Sequence, residues 1–517
     1  GAGPTGQAGR AGCNQRETQS SILSELNSRT GLYDTVGRGT ILSQEDVMER
    51  FGAGFLEERK LVKRWSGPLP ALVSIAALFA VFYATWWIFQ DPRGYMRMYT
   101  PYVGYMYCRW WLIMMIWMVY IFNYWPFKRS WLENAHPLYK GAVLTLVSVG
   151  ILLLLVKGFF EGFLGNYGLA YFNPEQLEKL PGITSFFAIE YASLAILMFA
   201  AIASWLSPAW VVAFEEAPWK KMKQPAKGFS ILMVTFFLST LVYFVTMHPH
   251  MGILYDPWQY FTSIAPPYWE SFADTVSGNF HVGWIMCCTV VVWLVETIWE
   301  RYPFNLIKHD WTRRFVAFFG IIAIALAMHF FFYFAQELTF GEAIRGTRRG
   351  FAPDWRWLHV GEMAIFLLVP ALFLNFYFGN WPRKFSMPVN VAIRTLITIV
   401  GAVLLYIVYY RTSHLFLGTQ KGISHPQQFP MIPTIWLVNL MLVQHWFMDN
   451  WPGWKLVSKT AEEAAADHAA ELAKVEDVRV NGKFGLGLGA GAAMGVCFYF
   501  VTVWALPFFY ASIDLIK

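Results

Sequence analysis

The sequence predicts an all-α, polytopic integral membrane bundle of about eleven transmembrane helices, arranged as repeated helical hairpins. Three observations predict it. Hydrophobic residues make up 56% of the 517 and charged residues only 14%, against roughly 25% charge in soluble domains; lipid must therefore solvate much of the surface. Eleven apolar stretches each approach the roughly 20 residues that cross a bilayer as a helix. One motif also returns five times: an apolar run, an aromatic–proline corner, basic residues, then another apolar run. The corners are Tyr124-Trp125-Pro126-Phe127-Lys128-Arg129, Ala217-Pro218-Trp219-Lys220-Lys221, Arg301-Tyr302-Pro303-Phe304, Asn380-Trp381-Pro382-Arg383-Lys384 and Asn450-Trp451-Pro452-Gly453-Trp454-Lys455. Trp favours the membrane interface, Pro stops the helix and the cations are retained in the cytoplasm.

Residues 1–65 read as a cytoplasmic arm. Gly, Ser, Thr and Asn dominate residues 1–40, and Ser43 then caps an expected amphipathic helix with Glu45 and Asp46 in its first turn. Val47, Phe51 and Phe55 recur every four residues, and Arg59, Lys60, Lys63 and Arg64 follow. That face suits the inner membrane surface or a partner subunit.

Residues 66–517 read as the transmembrane domain. The expected spans lie at about 68–89, 103–124, 141–163, 185–212, 228–247, 281–300, 315–336, 359–379, 390–410, 430–449 and 485–511. Lys60, Lys63 and Arg64 place the N-terminus in the cytoplasm, and an odd number of spans places the C-terminus outside. Loops on the expected cytoplasmic side carry the Lys and Arg, whereas residues 248–280 on the other side carry none. The loop at 337–358, with Arg345, Arg348, Arg349 and Arg356, deviates. The last inner loop, 456–478, is rich in Ala, Glu and Lys and reads as an exposed helix. The pattern suits a bacterial inner membrane, with the bilayer and other protein subunits as partners; cations confined to alternate loops argue against nucleic acid.

The candidate chemistry is sparse. His248 and His250 flank Pro249 at one membrane face, and His281 opens a span there. A His-x-His pair with a third histidine is a pattern able to hold copper or zinc. His329 and His359 are the pair to consider for haem, although the paired histidines of membrane cytochromes b do not occur. No CxxC is present among five cysteines, which argues against a Cys-ligated zinc or covalently attached haem.

Charges inside spans are costly and carry a functional expectation. Lys157 and Glu161, one turn apart, with Glu190 and Glu362, form a candidate ion or proton relay; an interfacial i,i+4 pair is the plainer account of the first two. The outer loop at 248–280 displays Tyr255, Trp258, Tyr268 and Trp269, which with Phe51 and Phe55 make candidate docking surfaces. Spans poor in polar residues favour an anchoring subunit of a membrane complex, possibly redox-linked. A secondary transporter is the alternative, and a membrane metalloenzyme built on the histidines the third reading.

Overall fold

The computed structural model describes residues 59–98, 100, 102–127, 131–132, 135–167, 169–246, 278–340, 353–419 and 430–458. They are mostly helical, and seven helices are long and apolar enough to cross a membrane. The elements are β1 (Arg59–Lys63), α1 (Leu69–Thr85), α2 (Val103–Ile116), α3 (Pro137–Leu153), α4 (Ser185–Val212), α5 (Ala226–Thr246), α6 (Gly278–Glu296), α7 (Asp310–Phe340), α8 (Pro353–Ile365), α9 (Leu368–Phe376), α10 (Met387–Phe416), α11 (Met431–Leu442) and β2 (Trp454–Ser458). Wider π-type turns continue α1, α2, α3 and α11 to Gln90, Ile121, Leu164 and Phe447. The first ten expected spans coincide with helices; the eleventh, at 485–511, lies outside the described residues.

The five corners share one backbone. In each, two consecutive residues take positive φ, then one residue precedes a cis proline. The pairs are Asn123 and Tyr124, Glu215 and Glu216, Glu300 and Arg301, Gly379 and Asn380, and Asp449 and Asn450. The second residue of each pair donates its amide to the carbonyl six residues back, on Met118, Trp210, Val295, Leu374 and Gln444, at 2.8–3.3 Å. Asn, Asp and Gly tolerate this left-handed geometry, because their short or absent side chains relieve the Cβ clash. Where bulkier residues occupy it, side-chain bonds hold them: Tyr124 Oη donates to Trp446 O, Glu216 accepts from Lys227 Nζ, and Arg301 Nε donates to Glu296.

The helices that run into the corners are more buried than the described helices that leave the first four of them. About 78% of the membrane-length window of α4 is buried, against 17% in α10 and 28% in α3. The buried helices close a ring, since α2 packs on α4, α4 on α6, α6 on α8, α8 and α9 on α11, and α11 on α2. The others form an outer layer whose exposed Leu146, Leu154, Phe331 and Leu396 face away from it. Neighbouring corners are tied at equivalent points. Asn380 Nδ2 donates to Thr297 O at 2.9 Å and Asn450 Nδ2 to Phe376 O at 3.4 Å, and Tyr124 Oη reaches Trp446 O at 3.1 Å. Each acceptor lies six residues before a corner proline. The last bond joins the first corner to the fifth.

A two-stranded sheet seals the same seam. β1 and β2 run antiparallel with Lys60 opposite Val457 and Val62 opposite Lys455. At Gly453 an added Cβ would run into the Pro70 carbonyl, so this backbone lies directly on the start of α1. This corrects two expectations. Arg59–Lys63 is a strand rather than the tail of an amphipathic helix, and Leu456–Ser458 is a strand rather than the start of an exposed helix. In both cases pairing with a segment some 390 residues away overrides the local helical pattern, a tertiary effect that residue-by-residue propensity does not contain.

Candidate functional site in the ring axis

All five inner helices send polar side chains towards one axis. From α2 come Tyr105 and Arg109, one turn apart and buried; Arg109 is 0% exposed. Its Nη2 donates to Ser204 Oγ of α4 at 2.5 Å and to Thr289 Oγ1 of α6 at 3.3 Å. Ser204 and Thr289 lie 3.3 Å apart and each also donates back to its own helix. From α11, Asn439 Nδ2 donates to the carbonyl of Cys108 at 2.8 Å, beside Arg109, while its Oδ1 is buried without a hydrogen bond. Glu362 of α8 is 4% exposed and lies near Tyr105, with Oε1 buried and unbonded. His359 Nδ1 stands 2.9 Å from Glu362 Oε2, and Tyr105 Oη lies 3.6 Å from Met286 Sδ of α6.

Arg109 is the anomaly of this group. A guanidinium carries five N–H donors, and Nη2 uses its two. Nε and Nη1 are buried without a hydrogen bond, and among the described residues no carboxylate pairs with the side chain. An isolated charge removed from water costs several kcal/mol unless something compensates it. The hydroxyls of Ser204 and Thr289 orient the group but cannot neutralise it.

Towards the corner face the axis is closed by aromatic rings. Tyr120, Trp293 and Trp446, from the ends of α2, α6 and α11, lie with centroids 5.5–5.9 Å apart. Arg109 and Tyr120 are eleven residues apart, or about 16 Å of helix. The axis therefore has a polar middle and an aromatic plug.

The expected site residues divide. Glu362 belongs to the axis. Glu190, also buried, accepts from the amide of Tyr102 at 3.2 Å beside the start of α2. Lys157 and Glu161 sit on the outer-layer helix and bond each other at 2.7–2.8 Å, the i,i+4 pair expected from the plainer account. No hydrogen bond or ion pair among the described residues joins that pair to Glu190 or Glu362. His281 lies on α6 near His329, whose ring stacks on Trp357 at 4.7 Å and meets Phe280 edge-on at 4.8 Å. At Gly283 an added Cβ would strike the Trp357 carbonyl and the His329 ring, so only glycine lets α6 and α8 approach there. His248 and His250 lie outside the described residues, as do Tyr255, Trp258, Tyr268, Trp269, Phe51 and Phe55. Among the described residues no group of three or more His, Cys, Asp or Glu is arranged to hold a metal ion. Cys108, Cys287 and Cys288 are buried thiols inside the bundle.

A separate cavity of about 220 Å³ opens at the corner face between Val212, Glu215, Arg301, Phe304 and Arg313. Its charges are already matched, Arg313 with Glu215 at 2.6 Å and Arg301 with Glu296 at 2.9 Å. Arg313 holds the Glu215 carboxyl below its ordinary value, chiefly through that hydrogen bond.

Sequence reasoning passed over Arg109, Ser204, Thr289 and Asn439. A signal for three of them exists in the corner register. Ser204 and Thr289 each precede a corner proline, Pro218 and Pro303, by 14 residues, and Asn439 precedes Pro452 by 13. No family model, no curated protein and no solved structure matches the chain.

Proposed function

We propose that this protein is a membrane transporter for a small solute or ion, with its path along the axis of the inner helix ring. One observation carries the reading. Polar side chains from α2, α4, α6, α8 and α11 converge around Arg109 and Tyr105, and among them Arg109 is a fully buried cation with open donors. Solute paths through membranes need polar groups at mid-depth, where unpaired ones are otherwise too costly to retain. The Tyr120, Trp293 and Trp446 plug is the closed gate of this path, and Glu362 with His359 its opposite end.

In this reading the chain spans a bacterial inner membrane eleven times, ten described helical spans and the stretch at 485–511. The basic corners and the N-terminus face the cytoplasm and the C-terminus lies outside, by the distribution of Lys and Arg. The test is reconstitution of the purified full chain into liposomes, with flux read by pH- and anion-sensitive dyes. Flux above empty liposomes that rises in Trp446→Ala supports the path. Absence of any flux, in wild type and in Trp446→Ala alike, removes it.

The aromatic closure of the axis favours a second reading, an anchoring subunit of a larger membrane complex. Stable co-purification of other subunits in mild detergent, together with no flux, selects that reading.

A further inference from the structure

We infer that Arg109 is the binding site of a small monovalent anion, of the halide or nitrate class. The inference rests on the axis being the functional centre of the protein, and it names what that centre holds.

The argument starts from charge. Arg109 is fully buried, positively charged at any accessible pH, and without a carboxylate partner among the described residues. Three of its five donors, one on Nε and two on Nη1, point into the bundle without an acceptor. The fixed part of the site is the bond pair from Nη2 to Ser204 and Thr289, which locks the plane of the guanidinium. A cation held rigidly with open donors in an apolar surrounding is an anion receptor, because an entering anion gains both charge-assisted hydrogen bonds and the compensation that the site lacks.

The neighbours set sign and size. The Oδ1 of Asn439 and Oε1 of Glu362 are buried acceptors that repel an anion, and the open donors are those on Nε and Nη1 of Arg109, so the ligand meets the guanidinium there. The neighbours of Arg109 along α2, Cys108, Trp110 and Ile113, are themselves buried and apolar. One guanidinium without a carboxylate bonded to it, in a buried and largely apolar surrounding, suits a monovalent, weakly hydrated anion. It disfavours sulfate or phosphate, whose second charge would be left uncompensated and which would have to shed more water.

The experiment uses the purified full chain in detergent, with unfolding midpoints followed by Trp fluorescence at constant ionic strength. Sodium nitrate, chloride and bromide are each titrated against sodium gluconate, whose anion is far larger and strongly hydrated. A saturable rise in midpoint with the small anions, absent with gluconate, is expected. In Arg109→Gln the apparent affinity falls by roughly 100-fold or more, the scale of a lost buried charge partner. Arg109→Lys, which keeps the charge and is the recourse should the Gln variant not fold, is expected to bind about 10-fold more weakly than wild type. Equal midpoints in small anions and gluconate overturn the site, as does an unchanged response in Arg109→Lys and Arg109→Gln. Flux in liposomes is read separately. Anion-specific stabilisation without flux keeps this site and removes transport; proton or cation flux without anion-specific stabilisation keeps transport and overturns this site.

Discussion

The corner belt and the ring axis each bury an arginine, and the two are opposites. Arg394 of α10 is 1% exposed and Arg109 is 0% exposed. Arg394 donates from Nε and Nη2 to Pro382 O at 3.2 and 2.9 Å and from Nη1 to Ile298 O at 3.1 Å, and stands 3.3 Å from Glu300 Oε1. It staples two neighbouring corners through carbonyls that the helix ends leave open. Arg109 has hydroxyls on one nitrogen and nothing on the other two. Burial alone therefore does not tell a structural charge from a functional one; the state of its donors does.

That contrast breaks most directly by making the same substitution twice. In gluconate buffer Arg394→Met is expected to cost about 3–5 kcal/mol, because it strands Glu300 and the carbonyls of Pro382 and Ile298. Arg109→Met removes a charge with no carboxylate to strand, and the Ser204 and Thr289 hydroxyls it leaves still donate to their own helices, so it is expected to be neutral or stabilising by up to about 4 kcal/mol. Unfolding in mild detergent measures both. Equal losses would mean that Arg109 is as much a staple as Arg394.

A smaller effect sharpens the belt itself. Asn380→Ala places a Cβ without a polar tip at φ 58 and removes donors to Thr297 O and Glu300. We expect a loss of about 2–3 kcal/mol, part from left-handed backbone and part from the stranded carbonyl. A loss below the backbone contribution alone would show that the tie between corners contributes nothing.

The smallest effect is a pH dependence confined to the belt. Glu215 has a folded value lowered from the ordinary 4.5 by its bond to Arg313. Its stabilisation is thus complete above about pH 4.5 and is lost as pH falls through the lower folded value. On the scale of such ion pairs it is of the order of 1 kcal/mol. Stability of wild type relative to Glu215→Gln should shrink on acidification below that point; a gap independent of pH between 3 and 7 would exclude the linkage.

The belt was legible in the sequence and the axis was not, for a physical reason. Corners are local objects. Asn-Trp-Pro or Arg-Tyr-Pro beside an apolar run already contains the left-handed residue, the aromatic anchor and the helix stop, so the five corners and the helices that flank them follow from neighbours in the chain. The axis is a coincidence of five distant helices. Ser204, Thr289 and Asn439 look like ordinary polar residues of a span, and Arg109 is embedded among Tyr105, Cys108, Trp110 and Trp111, whose bulk made the segment read as apolar. The relay expected from Lys157, Glu161, Glu190 and Glu362 grouped charges by depth along the membrane normal. It lacked the second coordinate, the direction in which each helix faces. That coordinate sends Lys157 and Glu161 to the outer layer and Glu362 to the axis.

The bond from Tyr124 to Trp446 has a consequence for how the molecule is made. Chains emerge from the ribosome N-terminus first and their domains fold in that order. Here the first corner cannot complete its contacts until the fifth has been synthesised, more than 300 residues later. Until then the growing bundle is an open arc rather than a smaller ring. Its two raw edges are the flank of α2 that will receive α11 and the flank of whichever inner helix was inserted last. Arg109 enters the bilayer with α2, ahead of Ser204, Thr289 and Asn439. A chain stopped before α4 therefore holds Arg109 without either of the hydroxyls that fix it in the finished bundle, and one stopped before α11 leaves the flank of α2 uncovered.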